Sequence, residues 1–195
     1  MKGNAVALMA ALLATLLCVG LAYILSSPHY SDRVLIERFD EHVPDFNRLA
    51  NMAVEDAHIR IIGSSFVGLV AADSGLPIYL NENEPWPRSE SELGFTHQRW
   101  NEYRRLLKQL GLGSWMRRTD GMTDVIFFAA SVDFGPADGV GQVVTEKGYV
   151  YSPRPIHHSL TDSLDHVEIA GPGVFFKKLD DNWYLYYEWS VAKPE

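Results

Sequence analysis

The residues best placed to do chemistry are the adjacent histidines His157 and His158, with Asp162, Asp165 and His166 close behind them. Imidazole and carboxylate groups act as general acids and bases, and they also bind zinc. Consecutive side chains of an extended segment point to opposite sides, however, and the chain has neither an HxxxH nor an HExxH spacing. The pattern therefore predicts an exposed polar loop without a metal. His97, His157, His158 and Asp162 remain the candidates of an alternative in which the protein is a small hydrolase.

Serine and glycine patterns that would indicate a nucleophile or a nucleotide site are incomplete. Ser65 follows Gly63 at the spacing of a G-x-S-x-G nucleophile elbow, but Val67 occupies the place of the second glycine. Residues 139–141 lack the third glycine of a dinucleotide fingerprint, and the chain has no P-loop sequence. The sequence therefore predicts no cofactor and assigns no catalytic, cofactor-binding or metal-binding residue.

One basic neighbourhood stands out in an acidic chain, whose formal net charge is −8. It comprises Arg99, Arg104, Arg105, Lys108, Arg117 and Arg118. A docking site for an anionic partner is one interpretation, but a solvated helix face, helped by Glu102, is the prediction that we favour. The overall acidity argues against binding to nucleic acid, which depends on neutralising phosphates, and against a polybasic grip on anionic lipids.

The aromatic segment near the carboxyl end alternates with a period of two, as a strand with two distinct faces does. One face carries Trp183, Leu185, Tyr187, Trp189 and Val191, and the other carries Tyr184, Tyr186, Glu188 and Ser190. Aromatic side chains also bind sugars and bases by stacking, but burial against a helix layer is the more general use of such a face. The pattern therefore predicts a core strand.

Helical segments are indicated by apolar side chains that recur every three or four residues. The first begins after Ser31 and is interrupted at Val43-Pro44, where a second helix begins. The third begins after Thr96 and ends at Gly111. We expect this third helix to lie on the carboxy-terminal part of the sheet. A mutually buried group is then predicted from Trp100, Tyr103, Leu107, Trp183 and Trp189.

Strand-like segments occupy much of the remaining chain, between His58 and Leu80 and again from Val125 onward. Glu146-Lys147-Gly148 and Asp180-Asp181-Asn182 are each typical of a short hairpin loop between two strands. Residues 81–94 are polar and predict an exposed loop. The order of elements predicts an α+β fold with a mostly antiparallel sheet packed on helices.

Location is indicated most clearly by Ala5–Leu25, a run of twenty-one residues without a charge. As a helix it would be about 31 Å long, enough to cross the hydrocarbon core of a bilayer. It predicts a transmembrane signal anchor in residues 1–27 and a single extracytoplasmic α+β domain in residues 28–195. The alternatives are a signal peptide cleaved after Gly20-Leu21-Ala22, which would leave the domain periplasmic or secreted, and a lipoprotein signal ending at Cys18. In every case the amino terminus stays in the cytoplasm.

Several phrases of the sequence occur together in a loose group of proteins. They are Phe39-x-x-His42 with Phe46-x-x-Leu49-x-x-Met52-x-x-x-Asp56, Arg99 with Tyr103 and Leu106–Leu112, Lys147–Tyr151, and Asn182–Tyr186. Over residues 31–189 the chain resembles small uncharacterised bacterial envelope proteins of lipoprotein type. The resemblance implies a bacterial source and an extracytoplasmic domain, and it carries no activity and no catalytic residues. The chain departs from the lipoprotein members at Leu17, where the lipidation signal requires a small residue.

Together these observations predict a membrane-anchored protein of the bacterial envelope. We expect a non-enzymatic accessory or binding module, held at the membrane through residues 5–25. Its expected partner is another envelope protein and not a nucleic acid. The alternative is a small envelope hydrolase that uses histidine and carboxylates.

Overall fold

A computed structural model describes residues 30–71, 74–113, 116–118, 124–134, 143–165, 167 and 172–191 of the chain. In this part of the chain an eight-stranded antiparallel sheet combines with helices, which confirms the predicted α+β fold. The helices are α1 (Asp32–Glu55), α2 (Glu90–Leu93) and α3 (His97–Gln109). The strands are β1 (Ile59–Ile62), β2 (Phe66–Val70), β3 (Pro77–Asn81), β4 (Met116–Arg118), β5 (Val125–Phe134), β6 (Val143–Tyr151), β7 (Gly173–Lys178) and β8 (Trp183–Val191).

The strand order across the sheet is β3-β2-β1-β4-β5-β6-β8-β7, so that β3 and β7 form its two edges. The predicted transmembrane segment, residues 5–25, lies outside the described residues. Within the described ranges, no helix combines the length and the hydropathy that crossing a bilayer requires.

Strand β8 has the two faces that its alternation predicts. Trp183, Leu185 and Tyr187 belong to the core on the helix side of the sheet, whereas Tyr184 and Tyr186 belong to a smaller core on the opposite side. Side chains on one face of a strand repeat every second residue, so the split follows directly from the sequence. The prediction of a core strand is confirmed.

The helix that covers β8 is α1 and not α3, so the predicted position of the third helix is wrong. The rings of Phe39 and Phe46 in α1 lie 5.7 Å and 5.4 Å from the ring of Trp183. The indole Nε1–H of Trp183 donates a hydrogen bond of 3.0 Å to Asn47 Oδ1, also in α1. With 24 residues, α1 is about 36 Å long and offers the larger apolar face to the longest strands.

Helix α3 instead lies over the turn between β1 and β2. The indole Nε1–H of Trp100 donates to the carbonyl oxygen of Gly63 at 3.2 Å, and the Arg104 guanidinium donates to that of Ser64 at 2.9 Å. Its amino end is capped as predicted, with Thr96 Oγ1 accepting from the Arg99 N–H at 3.0 Å. Of the group expected to be buried together, Trp100, Tyr103, Leu107 and Trp183 are buried, whereas Trp189 is only partly covered.

The predicted interruption at Val43-Pro44 appears as a kink within one helix. His42 has a non-helical backbone conformation (φ −129°, ψ 22°), and the helix then continues through Pro44. A proline in this position has no N–H to donate to the preceding turn, which locally opens the helix. Beyond the kink α1 continues to Glu55, which accepts a hydrogen bond from Arg99 of α3.

The predicted hairpin loop at Glu146-Lys147-Gly148 is wrong, because these residues lie inside the nine-residue strand β6. Gly148 is required there by close approach of the neighbouring strand. A Cβ atom at this position would lie 2.2 Å from the carbonyl oxygen of Phe127, where β5 has an irregular register between Phe128 and Ala130. The hairpin predicted at Asp180-Asp181-Asn182 is confirmed, since it joins the antiparallel strands β7 and β8.

Candidate functional site

A cluster of four charged side chains lies where α1 begins. Lys147 projects from β6 to the helix side of the sheet, and its side chain is only 3 % exposed. Its Nζ atom lies 2.8 Å from Asp32 Oδ1 and 2.8 Å from Asp165 Oδ1. Lys177 Nζ, from β7, lies 3.2 Å from Asp32 Oδ2. We call these four residues the Asp32 cluster, and its formal charges sum to zero.

Main-chain hydrogen bonds fix the same carboxylates. The Leu164 N–H donates to Asp32 Oδ2 at 2.8 Å, and the Asp32 N–H donates to Asp165 Oδ1 at 2.8 Å. Asp165 thereby satisfies a free N–H in the first turn of α1, and its negative charge is favourable at a helix amino terminus. Ser31, the predicted cap, makes no side-chain capping bond.

The surroundings of Asp32 favour its charged form. Burial by itself would raise the pKa of this carboxyl group, but hydrogen bonds from Lys147 and from the Leu164 N–H, together with the attraction of the ammonium group, lower it below its ordinary value of 3.8. A paired, charged carboxylate of this kind holds segments together. Here it joins the start of α1 to β6, to β7 and to the loop that contains Asp165.

The residues proposed for a hydrolase lie in separate places. His97 is exposed at the start of α3, where its Nδ1 lies 2.7 Å from Glu90 Oε1 and its ring stacks on Trp86 at 3.7 Å. His157, His158 and Asp162 are exposed in the loop between β6 and β7. His158 there makes an edge contact with Phe176 at 5.8 Å, on the face opposite the helices. No contact joins these described residues to His97, and His166 lies outside the described ranges.

The basic neighbourhood is only in part a solvated helix face. Arg105 and Lys108 are exposed, but Arg99 donates to Asp56 and Glu55 at 2.7 Å each, which ties α3 to the end of α1. Burial opposes the charge of Arg99, but these hydrogen bonds outweigh it and raise its pKa.

Arg118, at the end of β4, is buried and donates to the main-chain carbonyl oxygens of Ile59 and Ala53. Its pKa is lowered, chiefly because burial disfavours the charged guanidinium. The function of this side chain in the fold is to satisfy carbonyl groups at the end of α1 and in β1, which is a structural role.

A second charged group, on the face opposite the helices, depends on strand pairing and is not visible in the sequence. Glu146 and Glu188 are direct neighbours across β6 and β8, and Arg117 Nη2 lies 3.4 Å from a carboxylate oxygen of each. The Tyr186 hydroxyl donates to Glu188. Burial and this carboxylate raise the pKa of Tyr186. Paired carboxylates are used by glycosidases, but here a single guanidinium bridges both. The sequence predicts a hairpin loop at Glu146, whereas the structure places this residue inside β6.

Two open cavities adjoin at the carboxyl end of α3, where Lys108 and Gly111 line both. The larger one, of about 550 Å³, extends from Tyr30 past Leu107 and Leu112. The smaller, of about 340 Å³, extends along α1 from Val34 to His42. The Arg38 guanidinium donates to the Gly111 carbonyl oxygen at 3.0 Å, which fixes this end of α3 against α1. Tyr30, which lines the larger cavity, precedes Asp32 by two residues in the chain.

Comparison with known proteins gives no match to any family model, to any curated protein or to any solved structure. Among the described residues, no group of three or more histidine, cysteine, aspartate and glutamate side chains is arranged to hold a metal ion. The Asp32 cluster and the cavity that Tyr30 lines both lie at the start of the described domain. Neither was recognisable in the sequence, because Asp32, Lys147 and Asp165 are far apart along the chain.

Proposed function

We propose that this chain is a membrane-anchored protein of the bacterial envelope whose α+β domain acts outside the cytoplasm as a non-enzymatic binding or accessory module. The observation that carries the proposal is the position of the Asp32 cluster. Asp32 follows the end of the apolar run, at Leu25, by seven residues. It also joins the first helix of the described domain to β6 and β7 through buried charge pairs.

The short link keeps the domain at the membrane surface. Seven residues span at most about 25 Å when fully extended, so the start of α1 lies no farther than this from the end of the anchor. Asp32 is 4 % exposed and contacts two ammonium groups. The first residue of α1 is therefore fixed to the sheet by paired charges, and the domain is joined to the proposed anchor at the end that carries Tyr30.

The cavity that Tyr30 lines is the surface that we propose for contact with a neighbouring membrane protein. Leu107 and Leu112 give it apolar walls, and the exposed Lys108 places a positive charge at its rim. Apolar walls with a few polar groups are typical of binding sites. We propose an envelope protein with an acidic residue next to an apolar side chain as the partner.

A photo-reactive residue introduced at Lys108 in the full chain tests the partner proposal. In membranes of the native host we expect Lys108 to cross-link to a membrane protein, which mass spectrometry identifies. The same group at Asp181, whose side chain is 97 % exposed on the β7–β8 turn, is the matched control. Equal labelling at the two positions, or labelling of soluble cytoplasmic proteins, contradicts the proposal.

The alternative, a small envelope hydrolase, draws its support from the His97–Glu90 pair. A carboxylate 2.7 Å from an imidazole nitrogen orients the ring as a catalytic base requires. This alternative keeps His97, His157, His158 and Asp162 as its candidate residues. Loss of a measured hydrolytic activity in His97→Ala, with the fold retained, would favour it over the binding module.

A further inference from the structure

The two edges of the sheet, β3 and β7, differ in how far other described residues cover them. At the β7 edge, the Phe176 N–H donates to Ser159 and the Thr161 N–H donates to Phe176, both at 2.9 Å. Lys177 and Lys178 add charges to the same strand. Covering loops and lysines are the usual means of preventing an edge strand from pairing with another chain. The β7 edge is therefore protected.

The β3 edge has neither a covering loop nor a lysine in the described part of the chain, where only β2 pairs with it. Its one protecting feature there is Pro77, which has no N–H. The segment from Ser74 to Asn81 carries no charged side chain. Leu76 and Tyr79 are each 64 % exposed, which makes them the most exposed large apolar residues among those described. An uncharged, exposed edge strand is a template for strand addition.

The direction of the main-chain groups follows from the hydrogen bonds to β2. The Leu76 carbonyl oxygen accepts from the Ala71 N–H, and the Glu82 N–H donates to Ser65, both at 2.9 Å. Because these groups alternate along a strand, Pro77, Tyr79 and Asn81 turn theirs outward. The free edge thus offers the N–H and carbonyl of Tyr79, the N–H of Asn81 and the carbonyl of Pro77.

We propose that β3 pairs antiparallel with β3 of a second copy of this chain, about a two-fold axis between the two Tyr79 residues. The Tyr79 residues then exchange both of their main-chain hydrogen bonds, and each Asn81 N–H donates to Pro77 of the other copy. Pro77 has no N–H to return. The Asn81 carbonyl opposite it already accepts from the Glu84 N–H of its own chain, at 3.4 Å. The edge is therefore complementary to itself.

Charge and shape agree with this register. In this register Glu82, the residue that directly follows β3, lies beside Leu76 of the other copy, so the two Glu82 carboxylates lie at opposite ends of the strand pair. Like charges placed directly across a strand pair would be destabilising. The Tyr79 ring leans back over its own Gly68, where a Cβ atom would lie 3.1 Å from it. The two tyrosine rings therefore leave the axis free for the backbones to approach.

The pairing goes beyond the proposed function and does not depend on it, because it uses only the β3 edge. It is tested in the full chain with Cys18 replaced by serine, by adding one cysteine and measuring disulfide formation in detergent over a range of protein concentrations. In Tyr79→Cys the two Cα atoms would lie about 5.5 Å apart, within the range of a disulfide. In the control Leu76→Cys, which is equally exposed, they would lie about 20 Å apart, six residues along the strand.

We expect rapid disulfide formation in Tyr79→Cys and little in Leu76→Cys. Adding Asn81→Pro to Tyr79→Cys removes an outward N–H without touching the ladder to β2, and circular dichroism checks that the fold is kept. Loss of two hydrogen bonds from the dimer should slow cross-linking about tenfold or more. Equal cross-linking of the two cysteine variants, absence of cross-linking in both, or indifference to Asn81→Pro in the folded chain would overturn the proposal.

Discussion

Replacing Lys147 with methionine tests the structural role of the Asp32 cluster. Methionine keeps the length and the apolar stem of lysine but removes the ammonium group that contacts Asp32 and Asp165 at 2.8 Å. Removing one partner of a buried ion pair costs about 3–5 kcal/mol, because the remaining charge stays buried without compensation. Asp32 keeps Lys177 and the Leu164 N–H, and Asp165 is one-third exposed. We therefore expect about 3 kcal/mol, the lower end of that range.

The assay is equilibrium unfolding of the full chain in detergent, followed by the near-ultraviolet circular dichroism of its buried aromatic residues. Lys178→Met is the matched control, because Lys178 neighbours Lys177 on β7 but is 58 % exposed and lies 3.9 Å from an exposed Asp181. Its loss should change the free energy of unfolding by no more than about 0.5 kcal/mol. Equal effects of the two substitutions would show that the ammonium group of Lys147 does not stabilise the fold through Asp32 and Asp165.

The pH dependence of the free energy of unfolding is a second test of the Asp32 cluster. The pKa of Asp32 is lower in the folded chain than its ordinary value of 3.8, so the unfolded chain binds the proton more readily. The charged Asp32 therefore stabilises the folded chain fully above the pKa that this residue has in the unfolded chain, and the stabilisation is lost as the pH falls through its pKa in the folded chain. In Asp32→Asn this part of the acid sensitivity should disappear. An unchanged acid unfolding profile in that variant would mean that Asp32 does not carry the effect.

Three further outcomes follow from the packing and the loops. Trp183→Ala should lower the free energy of unfolding by about 3–5 kcal/mol, because it empties the centre of the α1–β8 core, and an unchanged melting temperature would place this ring at the surface. Gly148→Ala should lower the free energy of unfolding, measured in urea, by about 3 kcal/mol, because the added Cβ atom would lie 2.2 Å from the Phe127 carbonyl oxygen. A variant as stable as the wild type would show that β5 can move away from this position. Metal analysis of the native protein should find no zinc bound by His157 and His158, and about one zinc per chain, lost on replacing both, would favour the hydrolase.

The elements that could be predicted are those whose signal is local. Thr96 begins a helix, Asp180-Asp181-Asn182 forms a turn, and Trp183 and Tyr184 fall on opposite faces of a strand because their neighbours alternate. Each of these features depends on residues within about ten positions of one another. Capping, turn chemistry and periodicity act over such distances, so they remain visible in the sequence.

The features that could not be predicted depend on residues far apart in the chain. Lys147 sits in a turn-like triplet with Glu146 and Gly148, and only its pairing with Asp32 and Asp165 makes its burial in a strand favourable. Likewise, Gly148 is explained by the neighbouring strand and not by a turn. The choice between α1 and α3 as the cover for β8 depends on which apolar face fits which strands. Periodicity identifies such a face but does not name its partner.

The most direct test of the central claim is the intact mass of the chain extracted from the membranes of its native host. We expect an uncleaved protein that retains residues 5–25 and sediments with the membranes. This expectation would be contradicted by a soluble protein that begins near Tyr23, which would mean that the segment is removed as a signal peptide. A chain that begins at a lipidated Cys18 would also contradict it, because the domain would then be held by acyl chains and not by a transmembrane helix.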